Sequence, residues 1–310
     1  MKRKAKSSMA QWRQGLQIAS IAMAGLSLSA CGGGGGGGGS DGDGSPALDS
    51  GNKATACLNA DLYEIGSHVD QLTLSPTAAI HADSTVTQKT SFNNFSNLTE
   101  TEALEETGVP QALLVDPQRI SPQFIYDTQT RQRYTRLDGT TLLRFGDIAT
   151  PALTPLDPVL ASLQNPLIEQ IRALLGPIPL ELVNVVTTVT NNPAIEKRFD
   201  LSPGQSYTQS YTSATNTNVT LIASLTTIPL IVAETPTSLK TTYVGRERIS
   251  VQAGSFDACK FIDEMTTPGG TAITATWLAV GSGQFLKSEI INSGQVTELV
   301  NASINGVPLQ

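Results

Sequence analysis

The alternation of apolar and polar positions is clearest over the last third of the chain. Tyr243, Ile249 and Val251 alternate with Arg246, Arg248 and Ser250, a turn falls at Ala253 and Gly254, and the next run sets Cys259 and Phe261 on one face. Pro268 to Gly270 predict a second turn. Ile273, Ala275, Trp277 and Ala279 then alternate with Thr274 and Thr276, and Gly281 to Gly283 turn again before Leu286, Ser288 and Ile290. After Ser293 and Gly294, the last run carries Val296, Val300, Ala302 and Ile304 on one side. A period of two broken by short turns predicts about five strands in an antiparallel meander, apolar on one face and wet on the other.

Upstream, the same period predicts strands at Val69 to Leu74, Thr85 to Phe95, Gln132 to Phe145 with a turn at Asp138 and Gly139, Ser206 to Thr212, and Val219 to Thr227. Thr99 followed by Glu102 fits a capping box and predicts a short helix ending near Gly108. Residues 157–189 depart from the pattern. Asn165 and Pro166 can start a helix whose one side is Leu167, Ile168, Ile171, Leu174 and Leu175, stopped by Gly176 and Pro177. This helix either packs on the sheet or, given its apolar excess, forms a lid or plug over it. The predicted fold is mainly β, a curved antiparallel sheet or half-barrel with a few short helices. It occupies a single domain over residues 57–310, with the helical, apolar insertion near 157–189.

The N-terminus changes the picture from a fold to an address. Lys2, Arg3, Lys4, Lys6 and Arg13 precede an apolar run of 16 residues from Gly15 to Ala30. That run is shorter than the roughly 20 residues a spanning helix needs. It ends in Leu28, Ser29, Ala30 and Cys31, which resemble the lipobox of bacterial lipoproteins. The resemblance implies a signal peptide over residues 1–30, a diacylglyceryl group on the Cys31 thiol, and a fatty acid such as palmitate on the freed amine. Two or three chains anchor stably where one is marginal. An ordinary secretory signal with an accidental cysteine, or an uncleaved anchor, are the alternatives. Gly32 to Gly39 open a Gly/Ser/Asp-rich linker over residues 31–56 with no side chains suited to a core. In Gram-negative lipoproteins, glycine rather than aspartate after the cysteine favours the outer membrane, on its periplasmic side or at the cell surface.

Cleavage removes five basic residues, leaving 15 Lys and Arg against 27 Asp and Glu and a net charge near −12. Such a surface repels nucleic acid and anionic headgroups, so the acyl chains are expected to hold the protein to the membrane alone. With Cys31 acylated, Cys57 and Cys259 remain in a compartment where disulfides persist, and they are expected to pair. Closing that loop is worth about 4 to 5 kcal/mol in the chain-entropy picture. Two buried free thiols are the alternative.

Little else carries chemistry. His68 and His81 have no His, Cys or carboxylate cluster at ligand spacing and read as surface residues, so no metal site, cofactor or catalytic residue is assigned. No nucleophile elbow or phosphate-binding glycine loop is present. A distant carboxylate pair leaves no local spacing, so a hydrolase stays open as the least favoured class. Strict alternation sets Glu247 on the apolar face with Tyr243, where it would need a cationic partner, unless a strand end or bulge lets it reach water.

Thr242 to Phe261 (TYVGRERISVQAGSFDACKF) and Trp277 to Glu289 (WLAVGSGQFLKSE) resemble a segment that recurs in proteobacterial lipoproteins and periplasmic proteins of unassigned activity. Its grammar is G-x-E, A-G-x-F-x-A-C, W-x-A-x-G-x-G and K-x-E. The chain is also similar to the LolA and LolB lipoprotein carriers, which implies a half-barrel around an apolar cavity and no catalytic residues. Two readings are therefore expected. One is a non-enzymatic envelope lipoprotein binding a lipid or other apolar ligand in a cavity lined by Phe261, Trp277 and Leu286. The other is an assembly lipoprotein that contacts envelope proteins.

Overall fold

In the computed structural model, the described chain comprises residues 52–309 except 77, 109–126, 152–153, 156–181 and 222–225. Its strands are β1 His68–Leu74, β2 Ala79–Phe92, β3 Phe95–Gly108, β4 Asp127–Asp138, β5 Thr141–Pro151, β6 Thr154–Pro155 and β7 Leu182–Arg198. They continue as β8 Ser206–Leu221, β9 Thr226–Val251, β10 Gly254–Thr267, β11 Gly270–Ala279, β12 Phe285–Ile290, β13 Gln295–Ile304 and β14 Val307–Pro308. Each pairing is antiparallel, and β1 also pairs with β13. Twelve strands, all but β6 and β14, thus close an up-and-down barrel. The expected mainly β fold holds, and the expected half-barrel is a closed one. Closure satisfies both edges of the sheet within the fold.

Register carries one face continuously round the ring. Gln71 lies opposite Ala82, Ala82 opposite Glu105 and Glu105 opposite Gln129. Further round, Arg133 lies opposite Asp147, Asp147 opposite Val189, and Asp263 between Thr241 and Thr274. This face turns inward. Gln71, Glu105, Arg133, Asp147, Asn191, Ser213 and Thr241 are all buried. The opposite face meets water in mid-strand: His81 beside Asp70 and Glu106, and Lys240 beside Glu264, are all more than a third exposed. The barrel is therefore polar on both faces over much of its circumference, where alternation predicts one apolar face.

The chain enters across one end of the barrel. A 3-10 turn at Ala54–Cys57 packs against β9 and β10, with Ala54 N–H donating to Leu201 O (3.0 Å) and Gly281 N–H to Ala56 O (2.7 Å). A second turn at Ala60–Tyr63, capped by Asn59 Oδ1 accepting from Asp61 N–H (3.0 Å), reaches β4. β4 and β10 lie nearly opposite each other in the ring, so Asn52 to Ser67 span the opening as a plug. Cys57 is bonded to Cys259 on β10, as expected, with Cα atoms 6.1 Å apart. The plug sits on Phe199, Leu201, Tyr243, Phe261, Leu278 and Phe285, an apolar cluster that seals this end.

Two further clusters lie where hairpin tips fold back. The β9–β10 tip bends until Ala253 N–H donates to Leu299 O on β13 (3.1 Å), gathering Phe256, Ala258, Trp277, Leu286 and Leu299. The β2–β3 tip lays Phe92 and Phe95 on Leu98, Tyr134 and Phe145.

Several local expectations are corrected. Thr99 and Glu102 do not cap a helix. They sit inside β3, which is paired with β2 and β4 on both sides, and Thr99 Oγ1 accepts from Lys89 Nζ (3.0 Å). Of the insertion expected near 157–189, Leu182 to Val189 belong to β7, and 156–181 lie outside the described residues. The short helices reduce, among the described residues, to two 3-10 turns. The five C-terminal strands and their turns stand where the pattern places them. Pro229 and Pro236 fit in β9 because β10 pairs only from Ser238 onward, so that stretch has β8 on one side and no described partner on the other.

Candidate functional site

The densest polar chemistry lies in the lumen. On β4, Arg131 and Arg133 are two residues apart and share the inward face. Arg131 Nε stands 3.0 Å from Glu105 Oε1 on β3, at ion-pair distance but not aligned as a hydrogen bond. Gln129 Nε2 donates to Glu105 Oε2 (2.5 Å). Arg133 Nε donates to Asp147 Oδ1 on β5 (3.0 Å), and Arg144 Nε donates to Asp147 Oδ2 (2.9 Å).

A bulge makes the last pair possible. Residues 144 and 147 would face opposite ways under strict alternation. Phe145 is skipped in the ladders with both β4 and β7, so Arg144 and Asp147 both turn inward while Phe145 packs against Phe95. Burial alone would raise the Asp147 carboxyl, but Arg144 and then Arg133 outweigh it and hold the group at about 2. For Arg133, burial and the neighbouring Arg144 push the guanidinium below its usual range. The plug adds Tyr63, whose hydroxyl is raised by burial and opposed by the Arg133 charge.

Beside β5, strand β7 contributes Lys197, which lies opposite Leu142 two residues from the Ile195–Arg144 pair. Its Nζ stands 4.8 Å over the Phe261 ring. Burial pushes this ammonium down, with Asp263 opposing, and among the described residues it makes no hydrogen bond or ion pair. The Asp263 carboxylate accepts from Thr241 Oγ1 (2.6 Å). Tyr207 donates to Glu196 O (2.6 Å), and burial pushes its hydroxyl up to about 12. Lys197 is half-buried.

The residues singled out from sequence fall elsewhere. Leu28, Ser29, Ala30 and Cys31 lie outside the described residues. Phe261 belongs to the cluster under the plug, whereas Trp277 and Leu286 belong to the cluster under the β9–β10 tip, so the structure sets Phe261 apart from the other two. Glu247 reaches water through a bulge. Gly245 has φ +140° and the ladder skips Val244, which puts Tyr243 inward and leaves Glu247 to accept from Trp277 Nε1 (2.5 Å), with Lys260 Nζ at 3.4 Å. Lys260 and Lys287 stand 4.8 and 5.3 Å from the Trp277 ring. His68 pairs with Asp83 (2.8 Å) on the outer face.

Among the described residues no group of three or more His, Cys, Asp or Glu is placed to hold a metal ion. An open groove of about 480 Å³ lies where β10 leaves β9, lined by Pro193, Tyr211, Thr212, Pro236, Thr237 and Pro268, with no charged side chain. Of the luminal carboxylates, Glu105 and Asp147 are paired with arginine and Asp263 accepts from Thr241. Comparison with protein families, curated proteins and solved structures gives no match.

Proposed function

We propose that the protein is a lipid-anchored, non-enzymatic envelope lipoprotein whose barrel takes a small polar ligand into its lumen. The observation that carries this reading is the inward concentration of charge: Glu105, Arg131, Arg133, Arg144, Asp147, Lys197 and Asp263 on one continuous face. Burying Glu105, Arg133 and Asp147 is costly, and a role in recognition is what we propose offsets that cost. The apolar ligand expected from sequence has less support, since Phe261 is spent on one packed cluster and Trp277 with Leu286 on another.

Attachment through an acylated Cys31 at the outer membrane is part of the same proposal. No helix among the described residues is long and apolar enough to cross a membrane. A bilayer-spanning barrel presents an outward apolar band. Here the outward positions include Asp70, His81, Glu106, Lys240, Glu264, Lys287 and Glu298, which supports a tethered barrel over an embedded one. A second reading, contact with other envelope proteins, draws on the outer stretch of β9 over residues 226–237, which has no described partner on one side.

Mass spectrometry of the native lipoprotein, extracted in mild detergent, tests the choice. A polar small molecule retained in stoichiometric amount is expected. Recovery of a lipid or a protein in its place would refute the luminal reading.

A further inference from the structure

The sheet formed by β7, β8 and β9 carries no charge over most of its length. Leu182 to Ile195 and Leu201 to Ala233 contain no Asp, Glu, Lys, Arg or His, in a chain whose net charge is −7. These runs supply most of β7, all of β8 and the start of β9, which are neighbours in the wall. Before Ser238, β9 pairs with β8 alone, so among the described residues its other edge is open over 226–237. Thr227, Pro229, Glu234 and Pro236 on that stretch are exposed. Open edges are ordinarily guarded by charge, and here Glu234 is the only charged residue between Leu201 and Leu239. At its far end the edge runs into the uncharged groove of about 480 Å³, where Pro236 and Thr237 meet Pro268 of the β10–β11 turn.

We propose that this edge pairs with the same edge of a second copy, antiparallel about a two-fold axis, so that the protein is a dimer through β9. The dimer is independent of what the lumen holds, and it gives the open edge to a copy of the chain where the second reading above gives it to another envelope protein. Two features select a copy. Molecules this acidic repel each other through charged surface, and the uncharged sheet is where two of them can approach. An antiparallel strand is also its own complement. A two-fold axis lets each copy satisfy the free N–H and C=O groups of the other and consumes both edges at once, so assembly stops at two. Pro229 and Pro236 bracket the pairing run. Proline has no N–H to give, yet β9 stays paired with β8 at both, opposite Asn218 and Thr212, so their nitrogens face the open side. The N–H of Glu234, two residues from Pro236, points the same way, outward from β8.

Sedimentation equilibrium of the mature lipoprotein, in density-matched detergent with micelles in excess over protein, measures the association. A reversible monomer–dimer equilibrium is expected. Glu234→Pro removes one edge N–H and spares the β8 ladder, so it should weaken the dimer at least tenfold. Glu234→Gln loses the same charge but keeps the N–H, and its dimer should be at least as strong as the parent's. In the parent, amide exchange over 227–237 should slow as concentration rises, which decides the matter if Glu234→Pro does not fold. A monomer at every concentration, a dimer equally strong in Glu234→Pro, or exchange over 227–237 that ignores concentration would each overturn the pairing. A monomeric chain that co-purifies with a different protein bound at β9 would also overturn it, and would leave the luminal reading untouched.

Discussion

Asp147 is the residue on which most of the luminal order depends. It is buried and receives Arg133 on one oxygen and Arg144 on the other. Replacing it with asparagine leaves two guanidinium groups short of a counter-charge. Asp147→Asn should destabilise the protein by about 3 kcal/mol in urea denaturation, and a loss under 1 kcal/mol would mean that water or another acid substitutes for it. Its depressed pKa also sets an acid dependence. Since the folded form holds the proton less tightly than the unfolded chain, this contribution is complete above the ordinary aspartate pKa near 3.8 and fades as pH falls toward about 2. The acid limb of a stability profile should flatten in Asp147→Asn. His81 behaves oppositely. Burial opposes its protonation, but Asp70 and Glu106 outweigh this and raise its pKa, so its share is present below 6.5 and lost as pH rises through the raised value. Alternation shows Arg131 and Arg133 as a same-face pair, but it cannot bring Arg144 to the side of Asp147. That depends on the bulge at Phe145, which only the ladders on both sides reveal.

Among the elements, the β2–β3 hairpin shows how a long strand pair is used twice. Its shaft builds the barrel wall, and its tip folds outward, stacking Phe92 on Tyr134 at 4.2 Å and tying Asn93 Nδ2 to Thr190 Oγ1 at 2.7 Å. Gly146 makes room for it, since a Cβ there would stand 2.1 Å from Val189 O and 2.5 Å from the Phe92 ring. Gly146→Ala should therefore cost about 2 to 3 kcal/mol. It should also raise hydrogen exchange at the hairpin tip before the C-terminal strands, and uniform exchange would count against local docking. The meander from Tyr243 to Ile304 is legible because short glycine turns punctuate it. β3 and β7 are not. Thr99 with Glu102 carries a helix-start pattern that paired strands on both sides override, and β7 begins inside a stretch whose composition reads as helical. Closure is hidden as well, because the β1–β13 pairing joins the two ends of the barrel, and no local pattern encodes a partner so distant in sequence.

For the whole molecule, the Cys57–Cys259 bond ties the plug to the far side of the ring from β4. It closes a loop of 202 residues and should contribute about 5 kcal/mol. A Cys57→Ser, Cys259→Ser double variant should unfold at correspondingly lower urea, with the plug exchanging first; unchanged stability would show that the cluster under the plug suffices without the bond. Anchoring is tested separately. Cys31→Ser should release a folded, soluble protein or leave an unprocessed precursor, and a cleaved product still bound to the membrane would refute a sole lipid anchor.

The same bond has a mechanical meaning. A pull on the chain ahead of Cys57 passes through sulfur into β10, in the middle of the closed wall, rather than along the backbone into β1. β10 is held by ladders with β9 and β11 on both sides, so the load is shared across many hydrogen bonds instead of peeling the first strand from the seam. A barrel held at its N-terminal end can in this way bear tension there without opening at the joint between its first and last wall strands.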